Sequence, residues 1–137
     1  MKLPITVGVS PTLHIRGIIA EEEIVKGQVI ERCPVIVYTN EEAELMRPTM
    51  IEQYSFTWDE EHEALVLGYG SLYNHSYSPN VEVDFDYKNA EAFYTALCDI
   101  KAGEELFINY NADSPEPIDQ TYFEFDKRLK NNLKSVS

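Results

Sequence analysis

Cysteine, histidine and basic residues are all scarce in this chain, and each scarcity removes a class of function. The two cysteines, Cys33 and Cys98, lie inside apolar runs. They read as small buried residues of a reduced compartment, with a disulfide left open. The three histidines, His14, His62 and His75, show no paired ligand spacing, so no structural zinc is expected. Lys and Arg number 11 against 24 Asp and Glu, a formal net charge of −13. Phosphate backbones need a basic face, so direct nucleic-acid binding is not expected. A basic peptide or protein suits such a field better. No apolar run approaches the ~20 residues of a membrane span, and the first residues lack the apolar stretch of a secretory signal. A soluble, cytoplasmic protein with no membrane partner is the expectation. Gly-x-Gly-x-x-Gly and the phosphate-loop lysine pattern are both missing, and Ser76 lacks the context of a hydrolase nucleophile.

What is present suits one domain: 137 residues, 44% of them hydrophobic, enough for a core. Short strands are read at Ile5–Val9, 17–20, 29–33, 35–38, 64–67 and Val81–Asp86, with 91–98 pairing back on the last. Pro34 is expected to split the third from the fourth, because proline cannot fill a central ladder position. Val81, Val83 and Phe85 share one face of their strand, and Glu82, Asp84 and Asp86 the other. A helix is expected over 41–46, capped by Asn40 and broken by Pro48. Tyr122, Phe125 and Leu129 at helical spacing predict a C-terminal helix after the Ser114-Pro115-Glu116-Pro117 linker. The pattern is a mostly-β or irregular α+β domain with turns about every ten residues, and it does not specify a topology.

Residues 70–80 read Gly-Ser-Leu-Tyr-Asn-His-Ser-Tyr-Ser-Pro-Asn. Asn74-His75-Ser76 reads locally as a loop capping its own turn. Its place between Leu72-Tyr73 and Pro79-Asn80, inside a core-forming region, means its polar groups need partners. One hairpin later, residues 103–110 read Gly-Glu-Glu-Leu-Phe-Ile-Asn-Tyr, a turn into a strand ending on a tyrosine. Glu104 and Glu105 read as part of that turn, pointing to opposite faces rather than forming an acid pair.

Together the two segments resemble the signature motifs of the SET-domain lysine methyltransferases, over about residues 10–110, in a small stand-alone form of bacterial or viral type. The resemblance implies a SET-domain fold of several small sheets, with a knot-like crossing and a C-terminal helix. It implies a domain over 1–112, followed by a linker and helix over 113–137 that packs on it. It implies S-adenosylmethionine as cofactor and a lysine side chain of a basic protein as acceptor; monomer and homodimer are both left open. Tyr110 matches the catalytic tyrosine, and a free phenol, with a pKa of about 10, suits alignment better than base catalysis. Asn74 and His75 match the cofactor clamp. His14, Arg16 and Gly17 match the first motif, where Ile15 stands in place of the usual glycine. Tyr54, Tyr69 and Ile108 match the lysine channel. Ile108 is the residue two before the tyrosine, and as an aliphatic it leaves no hydroxyl to hold a water. Tyr122, Phe123 and Phe125 are candidates to close the cofactor site. A non-catalytic SET-like module that binds a basic peptide is the alternative, supported by Ile15. A small β-rich interaction protein whose motifs match by chance is a further one.

Overall fold

Alternation of side chains decides where the core lies. The computed structural model describes residues 2–110. Strands β1 (Ile5–Val9) and β2 (Arg16–Ala20) form an antiparallel hairpin. β2 continues onto β9 (Glu105–Ile108), and β9 onto the two-residue β6 (Asn74–His75), giving the order β1-β2-β9-β6. Ile18, Ala20, Leu106 and Ile108 line the inner face of this sheet, each at most 2% exposed.

The second sheet has the order β4-β5-β3-β8-β7. Its strands are β3 (Val29–Thr39), β4 (Phe56–Thr57), β5 (His62–Val66), β7 (Val81–Asp86) and β8 (Glu91–Ala96). Ala92, Tyr94, Ala96, Val66 and Val81 pack from it into the same hydrophobic cluster as Ile18 and Leu106. The fold is thus mostly β, as expected, with one short α-helix, α1 (Asn40–Met46), among the described residues.

Three local expectations are corrected. Pro34 does not split a strand: β3 runs unbroken through it, in the middle of the sheet. Residues up to Pro34 pair with β8, and those from Val35 pair with β5. The proline sits where the strand changes partner, and its carbonyl accepts the N–H of Leu67 at 3.0 Å. The helix cap is Thr39 rather than Asn40. Thr39 Oγ1 accepts the Glu42 N–H at 3.2 Å, and the Glu42 carboxylate accepts the Thr39 N–H at 2.9 Å, a reciprocal capping box. Asn40 instead donates to the Glu60 carbonyl at 3.0 Å. Cys33 is buried as read, but Cys98 is exposed; both are free thiols.

Among the described residues no helix is long and apolar enough to cross a membrane. The expected linker and helix over 113–137, with Tyr122, Phe123 and Phe125, lie outside the described residues.

Candidate active site

The two motifs meet because β6 lies parallel to β9, Asn74 beside Phe107 and His75 beside Ile108. The hairpin between them, β7–β8, is taken up by the other sheet. Asn74 is 5% exposed. Its Nδ2 donates to the main-chain carbonyl of Arg16 at 3.0 Å and to Oε2 of Glu105 at 2.8 Å. One amide thus ties β2, β6 and β9 together. Gly17 makes room for this junction: a Cβ there would lie 2.7 Å from Asn74 Nδ2 and closer still to Glu105 Oε2.

His75 faces Tyr110. The main-chain N–H of Tyr110 donates to His75 Nδ1 at 3.0 Å. An accepting Nδ1 puts the proton of the neutral ring on Nε2. Nε2 is buried and has no hydrogen-bond partner among the described residues. Burial holds the His75 pKa below its ordinary value, which favours that neutral form. The imidazole lies 5.2 Å from the Tyr110 ring and 4.5 Å from Tyr77, edge to face. The Tyr110 hydroxyl donates to the main-chain carbonyl of Tyr73. Tyr110 is therefore held at both ends, its backbone by the histidine and its phenol by a carbonyl one residue before Asn74.

The other expected residues fall unevenly around this centre. Arg16 is half-buried at the start of β2, and its Nη2 donates to the Tyr54 hydroxyl at 3.3 Å. Tyr54 ends a 3₁₀ turn, Ile51–Tyr54. Ile108 is 2% exposed, one strand across from His75. Arg16, Gly17, Tyr54, Asn74, His75, Ile108 and Tyr110 thus form one connected region. Tyr69 is half-buried, packed against the hydrophobic core. His14 is exposed, and its φ of 59° places it in the left-handed region, which histidine adopts more readily than most residues. Ile15, standing at the glycine position, is buried without left-handed backbone. The unusual dihedral sits one residue earlier.

Two residues of this junction, Glu105 and Asn80, were not among the expected site residues. Glu105 is the first residue of β9 rather than part of the turn, 6% exposed, with Oε1 lacking a partner among the described residues. Its signal was the buried Asn74, whose amide needs an acceptor. Asn80 completes the edge of β9, its Oδ1 accepting the Phe107 N–H at 2.7 Å and its Nδ2 donating to the Glu105 carbonyl at 2.9 Å. Beside it opens a cavity of about 270 Å³ lined by Pro11, Thr12, Asn80, Glu104, Glu105 and Phe107. It borders the junction at Glu105, and the Tyr110 phenol is not part of its wall.

The neighbouring strands β2, β6 and β9 thus carry a half-buried guanidinium, a ring N–H without a partner among the described residues, and a carboxylate oxygen likewise without one. That set suits a ligand with acceptor atoms, a carboxylate and a positive charge, and S-adenosylmethionine carries all three.

Comparison with known proteins agrees with this geometry. The SET domain family description matches residues 15–111. A histone-lysine N-methyltransferase of Schizosaccharomyces pombe, described as H3 lysine-37 specific, is 38% identical over 96 residues, 69% of this chain. The match spans 65% of that relative, just under two thirds of its length. The crystal structure of a Plasmodium falciparum protein assigned as a histone methyltransferase superposes with a TM-score of 0.66 at 30% identity, covering 80% of this chain and 95% of that one. A humanized mutant of the Chaetomium thermophilum Polycomb Repressive Complex 2, bound to an inhibitor, gives 0.67 at 25% identity, over 85% of this chain and 16% of that one. With its two motifs joined at β6 and β9 and the family match running from Ile15 through Tyr110, this chain belongs to the SET domain family.

Proposed function

We propose that the protein is an S-adenosylmethionine-dependent protein-lysine N-methyltransferase acting on a basic protein. The observation that carries this reading is the double hold on Tyr110, with its N–H on His75 and its hydroxyl on the Tyr73 carbonyl. When bound, S-adenosylmethionine supplies an electrophilic methyl group on a sulfonium. Asn74, His75, Arg16 and Gly17 are the residues to hold it: His75 offers its Nε2–H, Arg16 a cation for the carboxylate, and Gly17 lets Asn74 and Glu105 close against β2 so that the clamp keeps its shape. Tyr54, Tyr69 and Ile108 line the path of the acceptor lysine.

The amine must arrive neutral. With a free lysine pKa of about 10.4, that costs roughly 4.6 kcal/mol at pH 7. Half-buried tyrosine walls disfavour the ammonium form and lower this cost. The same rings attract the cation on arrival through their faces. Tyr110 orients the amine along the line of displacement, and alignment of that kind removes much of a bimolecular barrier. A net charge of −13 draws a basic substrate. The histone named for the S. pombe relative is a substrate of this class.

Replacing Tyr110 by Phe tests the reading. The variant is expected to lose at least 100-fold in kcat while its circular dichroism and cofactor affinity stay near wild type. Full activity in Tyr110→Phe removes the phenol from the reaction. The non-catalytic alternative is separated by calorimetric titration with S-adenosylmethionine, which a module lacking the cofactor site does not bind.

A further inference from the structure

Beneath Tyr73 lies a buried acid that no step above uses. Glu31, on β3, is 5% exposed, and its Oε1 accepts the hydroxyl of Tyr73 at 2.9 Å. Tyr73 is 1% exposed, and its ring stacks on Tyr94 at 4.5 Å with the planes 11° apart. The Tyr94 hydroxyl in turn donates to the Gly70 carbonyl at 2.7 Å. The segment from Gly70 to Asn74 is therefore held from below by two phenols, and at its far end it presents the Tyr73 carbonyl to Tyr110.

We propose that Glu31 is a positioning residue of the active site: through the phenol of Tyr73 it fixes the carbonyl on which the Tyr110 hydroxyl is seated. The inference rests on the methyl-transfer reading for its kinetic consequence, but not for its structural one. A phenylalanine at 73 over an apolar residue at 31 would fill the same space without burying a carboxyl group, which is costly. Burial pushes the Glu31 carboxyl up, while hydrogen bonds from Tyr73, Cys33 and the Tyr69 backbone pull it back down. Three donors converging on one buried acid define the direction of the Tyr73 ring. A ring stacked on one face and tethered at its oxygen leaves its own backbone little freedom.

The test separates positioning from stability. In Glu31→Leu/Tyr73→Phe both partners become apolar, an exchange that is often near neutral for folding. The double variant is expected to keep its unfolding midpoint and its cofactor affinity within threefold, yet lose 10- to 100-fold in kcat. Glu31→Gln is expected to stay within about threefold of wild type, because the amide oxygen can accept the Tyr73 hydroxyl as the carboxylate oxygen does and so keeps the tether. Tyr73→Phe alone, which retains the ring and its stack, serves if the double variant does not fold, and the same loss of kcat is expected. A readout independent of activity is the ¹³C ring signal of Tyr110, assigned by its disappearance in Tyr110→Phe. It should move in the Tyr73→Phe and double variants and stay in place in Glu31→Gln. An unmoved Tyr110 signal in Tyr73→Phe, or wild-type kcat there, overturns the inference. So does a Glu31→Gln variant as impaired as the double one. A wild-type protein that methylates no lysine overturns the functional reading alone, and the Tyr110 signal still decides this one.

Discussion

At the scale of single residues, the site depends on room and on one neutral ring. Gly17 has ordinary strand dihedrals, so its value lies in the missing Cβ, which would enter the space of Asn74 Nδ2 and Glu105 Oε2. Both groups are held in place, the amide by two acceptors and the carboxylate by the amide. Overpacking of this kind costs about 1–3 kcal/mol, so Gly17→Ala should lower the urea midpoint and weaken S-adenosylmethionine binding together; an unchanged midpoint would mean the junction yields. His75 gives a pH dependence. Its folded pKa lies below the ordinary 6.5, so the unfolded chain binds the proton more readily. Stability therefore rises with pH through this window. It is fully present above about 6.5 and lost as pH falls below that value toward the depressed folded pKa. The melting temperature should drop between pH 7 and pH 5, and the drop should shrink in His75→Gln; an identical pH profile in that variant sinks the assignment. The need of Asn74 and His75 for partners was legible in the sequence, since polar groups inside an apolar stretch must be satisfied. Their partners were not. Glu105 and Glu31 are acids whose inward direction depends on strand register, and spacing along the chain does not report it. The left-handed backbone at His14 lies one residue before the position where the family pattern has glycine, and no local signal in the sequence marks it.

At the scale of elements, the strands were largely legible and their partners were not. The bounds of Ile5–Val9 and Val81–Asp86 match the reading residue for residue. β3 shows the limit. A proline argues against a central strand only when its missing N–H would have served the ladder, and at a change of partner that condition lapses. Which strand lies across from 29–34 and which from 35–39 is a tertiary fact. The helix start shows a different limit: Thr39 and Asn40 are both good caps, and the local sequence alone does not choose between them. Glu42, three residues after Thr39, is the deciding signal, because it closes the reciprocal pair. Thr39→Ala should therefore cost about 1 kcal/mol, measured as a shift in denaturation midpoint. Asn40→Ala, which loses one exposed contact to the Glu60 carbonyl, should cost less than half of that. The reverse order would return the cap to Asn40.

At the scale of the whole molecule, two features act together: motifs about 30 residues apart in sequence are neighbours through the parallel β6–β9 pair, and the chain as a whole carries a net charge of −13. Composition made the charge legible without any structure, whereas the convergence of the motifs came only from resemblance, because nothing local to 74–75 specifies a partner at 107–108. Glu82 and Asp84 are exposed and Asp86 half-buried on edge strand β7, and hydrogen bonds from Asn89 hold the Asp86 carboxyl below its usual range. Asp86 is therefore charged at neutral pH. Exposed charges act over a Debye length of about 10 Å at 0.1 M salt and about 3 Å at 1 M. If this field gathers a basic substrate, KM for a lysine- and arginine-rich peptide should rise several-fold between 0.02 and 0.5 M salt while kcat changes little, since screening weakens encounter and leaves the aligned complex untouched. Reversing Glu82, Asp84 and Asp86 to Lys should raise KM at low salt, and the gap between variant and wild type should close as salt increases, because the same ions screen both surfaces. A reversal that changes KM equally at every ionic strength would point to direct contact between β7 and the peptide, and a KM indifferent to salt in the wild type would leave the acidic surface with solubility as its only task.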